Sequence, residues 1–314
     1  MARGRRSRRW FGGLAALVVA CAAVSWAAWL ASPSPTALGH RLETRLHDTG
    51  GRPIALTRMP AVLEHAVVAT EDERFYRHHG IDIVGVLRAV PYDVTNLSFA
   101  EGASTITEQL AKLLYLGGND HNPWRKLEDA AVAWKLENRY SKATILAAYL
   151  NTAYFGQGAF GVQAAAERYF GTSARALDTT QATLLAGLIQ APSLFDPFRN
   201  PQLARVRQSE VLRSLVRGKY LSEPAAAAVL ARPLRLRNGT QLAPIVGINI
   251  SPGPAFVWWQ LALGSILAVL GVLCLFTTRR QPVGQLWMQI VIRLLSLAVI
   301  LIGLGEIIRS FRTA

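Results

Sequence analysis

The sequence predicts a mainly α-helical protein, in which one globular helical domain is combined with three membrane-spanning helices. From Pro60 to about Leu230, alanine, leucine and valine recur at helical spacing, and glycine and proline mark the loops between the periodic stretches. Three long apolar runs flank this region, one before it and two after it. The helical region between the runs has the size of a single domain.

The charge of the chain restricts the partners that it can have. Its formal net charge is +14, and 51% of its residues are hydrophobic. A strongly basic chain suits either nucleic acid or an anionic membrane surface. The apolar runs favour the membrane, so we expect no nucleic-acid partner.

The first apolar run predicts an N-terminal membrane anchor. Residues 1–9 form a basic tail with five arginines, and residues 10–31 follow as a mostly apolar run. A helix over Trp10 to Leu30 reaches about 31 Å, enough to cross a bilayer, and the positive-inside rule keeps the tail in the cytoplasm. A cleaved signal peptide is the alternative, because residues 18–21 resemble a lipoprotein cleavage box. The apolar run continues well past Cys21, which favours the anchor.

The other two runs predict a C-terminal helical hairpin in the membrane. The spans are residues 255–276 and 283–304, joined by a cytoplasmic turn at 277–282 and followed by an extracytoplasmic tail at 305–314. Arg293 lies deep in the last span, where a charge costs about 2.5–3.5 kcal/mol. We expect this arginine either to snorkel to the headgroups, which makes the hairpin a second anchor, or to face another membrane protein.

The segments around the domain are short. Residues 32–59 predict a linker and a small hairpin centred on Gly50 and Gly51, the domain occupies residues 60–237, and residues 238–254 form a connector. The two cysteines fall within predicted spans, so no disulfide is expected in the domain.

An acidic cluster at the end of the first domain helix is the first candidate site. Glu71, Asp72 and Glu73 crowd like charges, which raises the pKa of at least one carboxyl group. A carboxylate with a raised pKa can act as a general base near neutral pH. Taken alone, the cluster is equally compatible with a solvated acidic helix end. The stretch continues with Phe75, His78 and Gly80.

The second candidate site is a helix start that suits a phosphate ester. Gly102 precedes Ser104 and Thr105, which are good residues to open a helix, and free backbone N–H groups at a helix start attract anions. Gln109 and Lys112 follow within two turns, and the lysine adds a cation. Taken alone, this stretch also fits an ordinary capped helix.

A third stretch opens another helix with Arg125, Lys126 and Glu128. Arg125 and Glu128 are three residues apart, so a solvated ion pair on one helix face also explains them. A fourth stretch follows at residues 149–161, with Asn151 and Tyr154.

Taken in this order, the stretches resemble the peptidoglycan glycosyltransferases, the transglycosylase domain of bifunctional penicillin-binding proteins and of their monofunctional relatives. The resemblance covers about residues 45–237 and includes residues 191–193, Ala-Pro-Ser, with Pro197. It implies a lysozyme-like helical glycosyltransferase domain with a small membrane-facing lobe. Glu108 departs from the family, which usually has glutamine at this position, and puts the details of the substrate in doubt.

The resemblance also implies a reaction. Lipid II, a polyprenyl-pyrophosphate disaccharide-peptide, would be joined into glycan strands with inversion at the anomeric carbon and release of polyprenyl pyrophosphate. Glu71 would take the proton from the acceptor hydroxyl, and Glu128 would orient the cations or share a divalent metal. The residues implied at the donor sugar or pyrophosphate are Ser104, Thr105, Gln109, Lys112, Arg125 and Lys126. The supporting residues are Asp72, Phe75, His78, Gly102, Asn151 and Tyr154.

The resemblance further implies the setting of the enzyme. No cofactor is required by the sequence, although Mg²⁺ or Mn²⁺ would be compatible with the pyrophosphate. The expected partners are lipid II, the growing glycan strand, membrane lipids and, at the C-terminal hairpin, another cell-wall membrane protein. We expect a multi-pass protein of the plasma (inner) membrane that serves cell-wall biogenesis and cell shape, with its catalytic domain on the extracytoplasmic face.

Several other kinds of site fit the sequence less well. Residues 156–161 match a dinucleotide-binding fingerprint, but a helix is predicted before them where that fold needs a strand. The adjacent histidines His78 and His79 have no partner at zinc-ligand spacing. No serine is followed by a lysine three positions later, so a penicillin-binding transpeptidase site is not expected.

Two alternative functions remain from other classes. A lysozyme-like lytic enzyme would also use a catalytic glutamate, but a neutral glycan does not need the cations Lys112 and Arg125. A non-catalytic membrane scaffold would tolerate the loss of Glu71 or Glu128, and both are present.

Overall fold

The computed structural model describes residues 19–20, 22–85, 104–117, 123–247 and 250. Gly102 and the two predicted C-terminal spans lie outside the described residues. Within those residues, no helix is long and apolar enough to cross a membrane.

The described part of the chain is mainly helical, as predicted. Residues 22–31 form α1, the described portion of the first apolar run. The helices that follow are α2 (Leu38–Thr49), α3 (Ala61–Glu71), α4 (Ile106–Ala111), α5 (Pro123–Glu137), α6 (Lys142–Thr152), α7 (Val162–Phe170), α8 (Thr179–Leu188), α9 (Pro201–Arg217) and α10 (Glu223–Ala231). A π-helical turn, Lys112–Leu116, extends α4, and two short strands, β1 (Leu234–Arg235) and β2 (Gln241–Leu242), pair antiparallel.

The hairpin predicted around Gly50 and Gly51 is wrong, because these glycines end helix α2. Gly50 has a φ of 66°, and its N–H donates to the carbonyl of His47, while the N–H of Gly51 donates to Leu46 over 2.8 Å. This pair of bonds is the Schellman motif, which terminates helices at a residue with positive φ. A glycine pair supplies that conformation for a helix end as readily as for a hairpin turn.

Helix α1 is fixed to α5 at its C-terminal end. Lys135 of α5 donates to the carbonyl oxygens of Trp29 and Ser32 over 2.7 and 2.8 Å. A cation is favourable at a helix C-terminus, where carbonyl groups are left without partners. The rings of Trp29 and Trp134 meet edge to face at 6.5 Å. The chain therefore leaves α1 along a defined path on the domain.

Two groups of helices meet at the candidate site. In the first group, α3 packs against α8 and α9, and α8 is buried from Ala182 to Leu188. In the second group, α4 packs against α5 and α6. Glu71 ends α3 and Gln109 lies on α4, so the contact between the two groups brings these residues together.

The domain extends beyond the predicted boundary at residue 237. Leu242 of β2 is fully buried in a small second core with Leu234 and Leu184, and Ile250 is buried in the main core. Part of the segment predicted as a connector is therefore folded with the domain. The described residues belong to one compact unit that ends at Ile250.

Candidate active site

Glu71 lies almost buried at the last residue of α3, where the helix pattern placed it. One carboxylate oxygen, Oε2, accepts a hydrogen bond of 3.0 Å from Nε2 of Gln109. The other, Oε1, lies 3.9 Å from a guanidinium nitrogen of Arg207 on α9. About 10% of the Glu71 side chain is exposed, which leaves room for a substrate atom to approach.

The pKa of Glu71 is raised, and the main cause is the burial of its carboxyl group. The hydrogen bond from Gln109 and the charge of Arg207 both lower the pKa, and the charge of Asp72 makes the smallest contribution. The direction predicted from the sequence is therefore right, and the predicted cause, the charge of a neighbouring carboxylate, is present but is the smallest of the contributions. Loss of water around Glu71 matters more than crowding among the neighbouring carboxylates.

A buried tyrosine fixes the orientation of Gln109. The hydroxyl of Tyr149 on α6 donates to Oε1 of Gln109 over 2.6 Å, which turns the amide nitrogen toward Glu71. Burial raises the pKa of Tyr149 well above its usual value, so the hydroxyl stays protonated as a donor. Tyr149 was not predicted as a site residue, although it lies in the fourth stretch of the sequence.

Asp72 joins the end of α3 to the start of α4. Its carboxylate accepts from the backbone N–H of Ile106 over 3.0 Å and contacts Nε2 of His78 at 2.9 Å. Phe75 is fully buried between these segments. The side chains of Asp72, Phe75 and His78 are thus all buried beside the end of α3.

Gly80 is required by a close approach between two segments. Its φ is 80°, and a Cβ atom there would come within 2.8 Å of the backbone nitrogen of Trp134. Its carbonyl accepts from the hydroxyl of Thr105 over 2.6 Å. Any larger residue would push the loop away from α5 and displace the start of α4.

The start of α4 is not the free anion site that the sequence suggested. The hydroxyl of Thr105 accepts from the backbone N–H of Glu108, and the Glu108 carboxylate accepts from the backbone N–H of Thr105. This reciprocal pair is a capping box. The N–H of Ile106 is taken by Asp72, so three backbone N–H groups at the start of α4 already have acceptors in the protein.

The carboxylate of Glu108 takes part in this cap and lies close to Lys126. Its side chain is 6% exposed, and burial raises the pKa of its carboxyl group while the charge of Lys126 lowers it. Lys126 lies 4.0 Å from the Glu108 carboxylate and donates to the hydroxyl of Ser104. The extra acid is therefore paired with a cation and integrated into the fold.

The cations predicted at the pyrophosphate gather around a carboxylate that the sequence did not single out. The carboxyl of Asp129 has a pKa raised by burial and lowered by the charges of Lys126, Lys112 and Arg125, in decreasing order. Its Oδ1 atom is buried without a hydrogen-bond donor. The alignment of α4 with α5 produces this grouping.

Glu128 lies on α5 next to Asp129, and its carboxylate has two neighbours. Its carboxylate is 3.5 Å from Arg125, three residues earlier, and accepts a hydrogen bond of 2.9 Å from the indole nitrogen of Trp124. Arg125 also donates to the carbonyl of Gly117. Arg125 and Glu128 therefore form the ion pair that their spacing allowed, but their side chains are only 22% and 17% exposed, so the pair is not a solvated one.

Asn151 and Tyr154 have structural partners. The amide of Asn151 pairs with both backbone groups of Ile54 at 2.9 Å, as a strand neighbour would. Tyr154 packs on Phe160 with ring centroids 4.7 Å apart. Helix α6, not a strand, precedes the glycines at residues 156–161, so the dinucleotide-binding arrangement is absent from this described segment.

The described side chains do not fit a metal site. Among them, no group of three or more histidine, cysteine, aspartate or glutamate side chains could hold a metal ion. The charges of Lys126, Lys112 and Arg125 act on Asp129, and three cations in this region would repel a divalent ion. We therefore derive no step through a protein-bound metal.

Arg207, like Tyr149, was not predicted from the sequence as a site residue, and its loss should shift the pH dependence of activity. The arginine charge lowers the pKa of Glu71, so Arg207→Gln should raise that pKa further. If Glu71 must be ionised to act, the acidic limb of kcat/KM should move to higher pH, with full activity recovered at alkaline pH. A pH–rate profile of the two proteins measures this shift.

Glu210→Gln is the matched control for this shift. Glu210 contacts the same arginine at 2.7 Å, but its side chain is 46% exposed. Its removal should leave the acidic limb in place. Superimposable profiles for the parent and Arg207→Gln would show that Arg207 does not act on the ionisation of the base.

The chain is similar in sequence to a known protein family and to several known proteins. The chain matches the protein family described as Transglycosylase over residues 39–216, more than half of its length. It is 43% identical over 163 residues to penicillin-binding protein 1A of Neisseria lactamica, a match that covers 52% of this chain and 20% of that protein. It is 42% identical over 186 residues to a protein of Cupriavidus necator named as a candidate transglycosylase, covering 59% of this chain and 79% of that protein.

A solved structure with a partial likeness is penicillin-binding protein 1A from Haemophilus influenzae. The TM-score is 0.36 at 22% identity, and the match covers 59% of this chain and 18% of that chain. At this TM-score the likeness carries no argument. The chain spans about a fifth of the length of the Neisseria relatives that it matches.

Proposed function

Because the chain belongs to the transglycosylase family, we propose that it is a peptidoglycan glycosyltransferase that polymerises lipid II into glycan strands. The observation that carries this proposal is the buried Glu71 at the end of α3, with its raised pKa and its contacts to Gln109 and Arg207. Such a carboxylate is suited to accept a proton near neutral pH.

In the proposed reaction, Glu71 takes the proton of the acceptor 4-hydroxyl while the oxygen attacks the anomeric carbon of the donor sugar. A bond forms between that oxygen and the anomeric carbon, and the bond from the carbon to the pyrophosphate oxygen breaks. The pyrophosphate leaves with the electron pair, and a single displacement inverts the anomeric carbon. Gln109, oriented by Tyr149, holds the carboxylate in position throughout.

The leaving group determines what else the site needs. A departing pyrophosphate carries its own negative charge, so electrostatic stabilisation serves it better than a strong general acid. Lys112, Lys126 and Arg125, which act together on Asp129, supply this positive charge. In this proposal the phosphates are held by side-chain cations, because three of the N–H groups at the start of α4 are occupied.

Lys112→Ala should weaken the use of the donor substrate about 10-fold to 100-fold, since a hydrogen bond to a charged group contributes about 1.5–3 kcal/mol. Steady-state kinetics with varied lipid II measures this loss in kcat/KM. Lys219→Ala is the control, because Lys219 is exposed and, within the described residues, its side chain has no ion pair. Equal losses from the two substitutions would contradict the assignment of Lys112.

Lys142 is unsuitable as the control in that experiment. Its Nζ lies 2.6 Å from the buried carboxylate of Glu137 and 4.3 Å from the ring centroid of Phe75. Lys142→Ala would leave Glu137 with an unpaired buried charge, so a loss of stability would be mixed with any loss of activity.

The proposed reaction is tested by incubation of the purified full chain with labelled lipid II and, separately, with pre-made glycan. A glycosyltransferase lengthens the labelled chains, whereas a lytic enzyme shortens the pre-made glycan. Polymer formation supports the proposal, and shortening without polymer would establish the lytic alternative.

We also expect no acylation of the chain by a labelled penicillin, because the chain lacks the serine–lysine motif of a transpeptidase.

We further propose an anchored, multi-pass protein with its catalytic domain on the extracytoplasmic face, and a membrane-protein partner at the C-terminal hairpin. The sequence pattern around Arg293 supports the partner, since an arginine at that depth usually faces protein or water. Arg293→Leu should abolish cross-linking to the partner in membranes without changing polymerisation in detergent. If Arg293→Leu retains every cross-link of the parent protein, the hairpin is only an anchor.

A further inference from the structure

A cavity of about 430 Å³ lies beside α2, away from the contacts that hold Glu71. One wall is formed by the first three turns of α2, and the other by Leu113 and Leu114 of the π-helical turn. Thr36 and Ala37, at the end of the linker before α2, close one side. None of the residues that line this cavity has a role in the proposed reaction.

Two arginines on the cavity wall have no carboxylate partner. Arg41 and Arg45 are four residues apart on α2, so they lie on the same face of the helix. Neither takes part in an ion pair within the part of the chain that the structure describes. Asp48 also lines the cavity, but its recorded ion pair is with His47, at 3.7 Å. Like charges at this spacing destabilise a helix unless an anion compensates them.

Aromatic side chains hold both arginines in place. The guanidinium carbon of Arg41 lies 4.5 Å from the ring centroid of Tyr115, and its NH1 donates to the carbonyl of Leu114 over 3.1 Å. The guanidinium of Arg45 lies 5.3 Å from the ring centroid of Phe160. The Nε atom of Arg45 is buried and has no hydrogen-bond acceptor. A donor in that position costs free energy until an acceptor reaches it.

The linker side of the cavity is also fixed. The carbonyl of Pro35 accepts from the hydroxyls of Tyr115 and Tyr140 over 3.3 and 3.1 Å. Tyr140 accepts in turn from the N–H of Leu38. The wall beside Thr36 is therefore formed in advance, and a ligand would not have to order it.

We propose that this cavity binds a phosphate group, with the guanidinium groups of Arg41 and Arg45 as its ligands and the hydroxyls of Thr36 and Thr44 as further donors. The planar guanidinium fork matches phosphate oxygens in two-point hydrogen bonds. The phosphate can come from the headgroup of an anionic phospholipid or from a free phosphate ester. This inference does not depend on the chemistry of Glu71.

The test uses the full chain in nanodiscs of phosphatidylcholine, with a photoreactive phosphatidylglycerol added in one arm. Cross-linked peptides are identified by mass spectrometry. Two variants are compared with the parent: the single variant Arg45→Gln, which leaves the contacts of Arg41 intact, and the double variant Arg41→Gln with Arg45→Gln. The control replaces the exposed Arg58 and Arg175 by glutamine. Thermal melting confirms that each variant is folded.

We expect labelling of residues 36–48 or 113–114 in the parent and the control, reduced at least threefold in the single variant and tenfold in the double variant. Polymerisation in detergent should be unchanged. Competition by millimolar inorganic phosphate would identify a free phosphate as a ligand, and labelling that resists it would identify the lipid headgroup. Equal labelling of parent and double variant, or equal labelling by a photoreactive phosphatidylcholine, would overturn the proposal.

Discussion

Glu71→Gln should lower the rate of lipid II polymerisation by 10²–10⁴-fold, which corresponds to about 3–5 kcal/mol in the activation barrier. The amide has nearly the shape of the carboxylate and can still accept the hydrogen bond from Gln109. It cannot take a proton from the acceptor hydroxyl. Binding of the donor should therefore persist while turnover is lost, and single-turnover kinetics with labelled lipid II separates the two.

Glu64→Gln provides the matched control on the same helix. Glu64 lies two turns before Glu71 on α3, and its carboxylate accepts from the hydroxyl of Tyr76 over 2.5 Å. Its replacement changes charge and hydrogen bonding on α3 without touching the site. Near-normal turnover in Glu71→Gln, or an equal loss of turnover in both variants, would show that Glu71 is not the general base.

The position of Glu71 could be predicted from the sequence because the signals were local. Proline at the start of α3, an apolar run and an acidic cluster before Gly80 locate a helix end within a few residues. The raised pKa of Glu71 could be anticipated in direction only, because burial depends on the packing of α8 and α9 against α3. Tertiary packing of this kind leaves no mark within a short window of sequence.

Arg207 illustrates the same limit more sharply. It lies on α9, far from Glu71 along the chain, and reaches the carboxylate because α9 packs across α3. Its own helix shows only a charged pattern, with Glu210 three residues later, which is typical of an exposed helix face. Nothing in that pattern indicates that the Arg207 side chain is largely buried, with only 11% of it exposed.

The start of α4 shows how a correct local prediction can support a wrong functional one. Ser104 and Thr105 were expected to open a helix, and Thr105 is its N-cap. The expected anion site fails because Asp72, a residue from the first motif, reaches the N–H of Ile106. A helix start attracts any carboxylate, and here the protein provides its own.

Arg205 is a buried cation whose partners are all uncharged. Only 2% of this residue is exposed, and burial lowers its pKa. Its guanidinium donates to the carbonyls of Leu230 and Arg232 over 2.7 Å and to Ala243 over 3.0 Å. These bonds connect α9 to the end of α10 and to the segment after β2, and Arg205 also donates to Oε1 of the fully buried Gln208 over 2.7 Å.

Arg205→Met should therefore lower the free energy of unfolding by about 3 kcal/mol, since the buried Oε1 of Gln208 loses its donor, at a cost of about 1–3 kcal/mol, and the carbonyls of Arg232 and Ala243 lose a charged donor. For a domain of this size the melting temperature should fall by about 6–12 °C. Calorimetry of the purified chain measures the fall. Arg217→Met, an exposed position on the same helix, should change stability by about 0.5 kcal/mol or less. Equal melting temperatures for the two variants would mean that the carbonyls find other donors once Arg205 is gone.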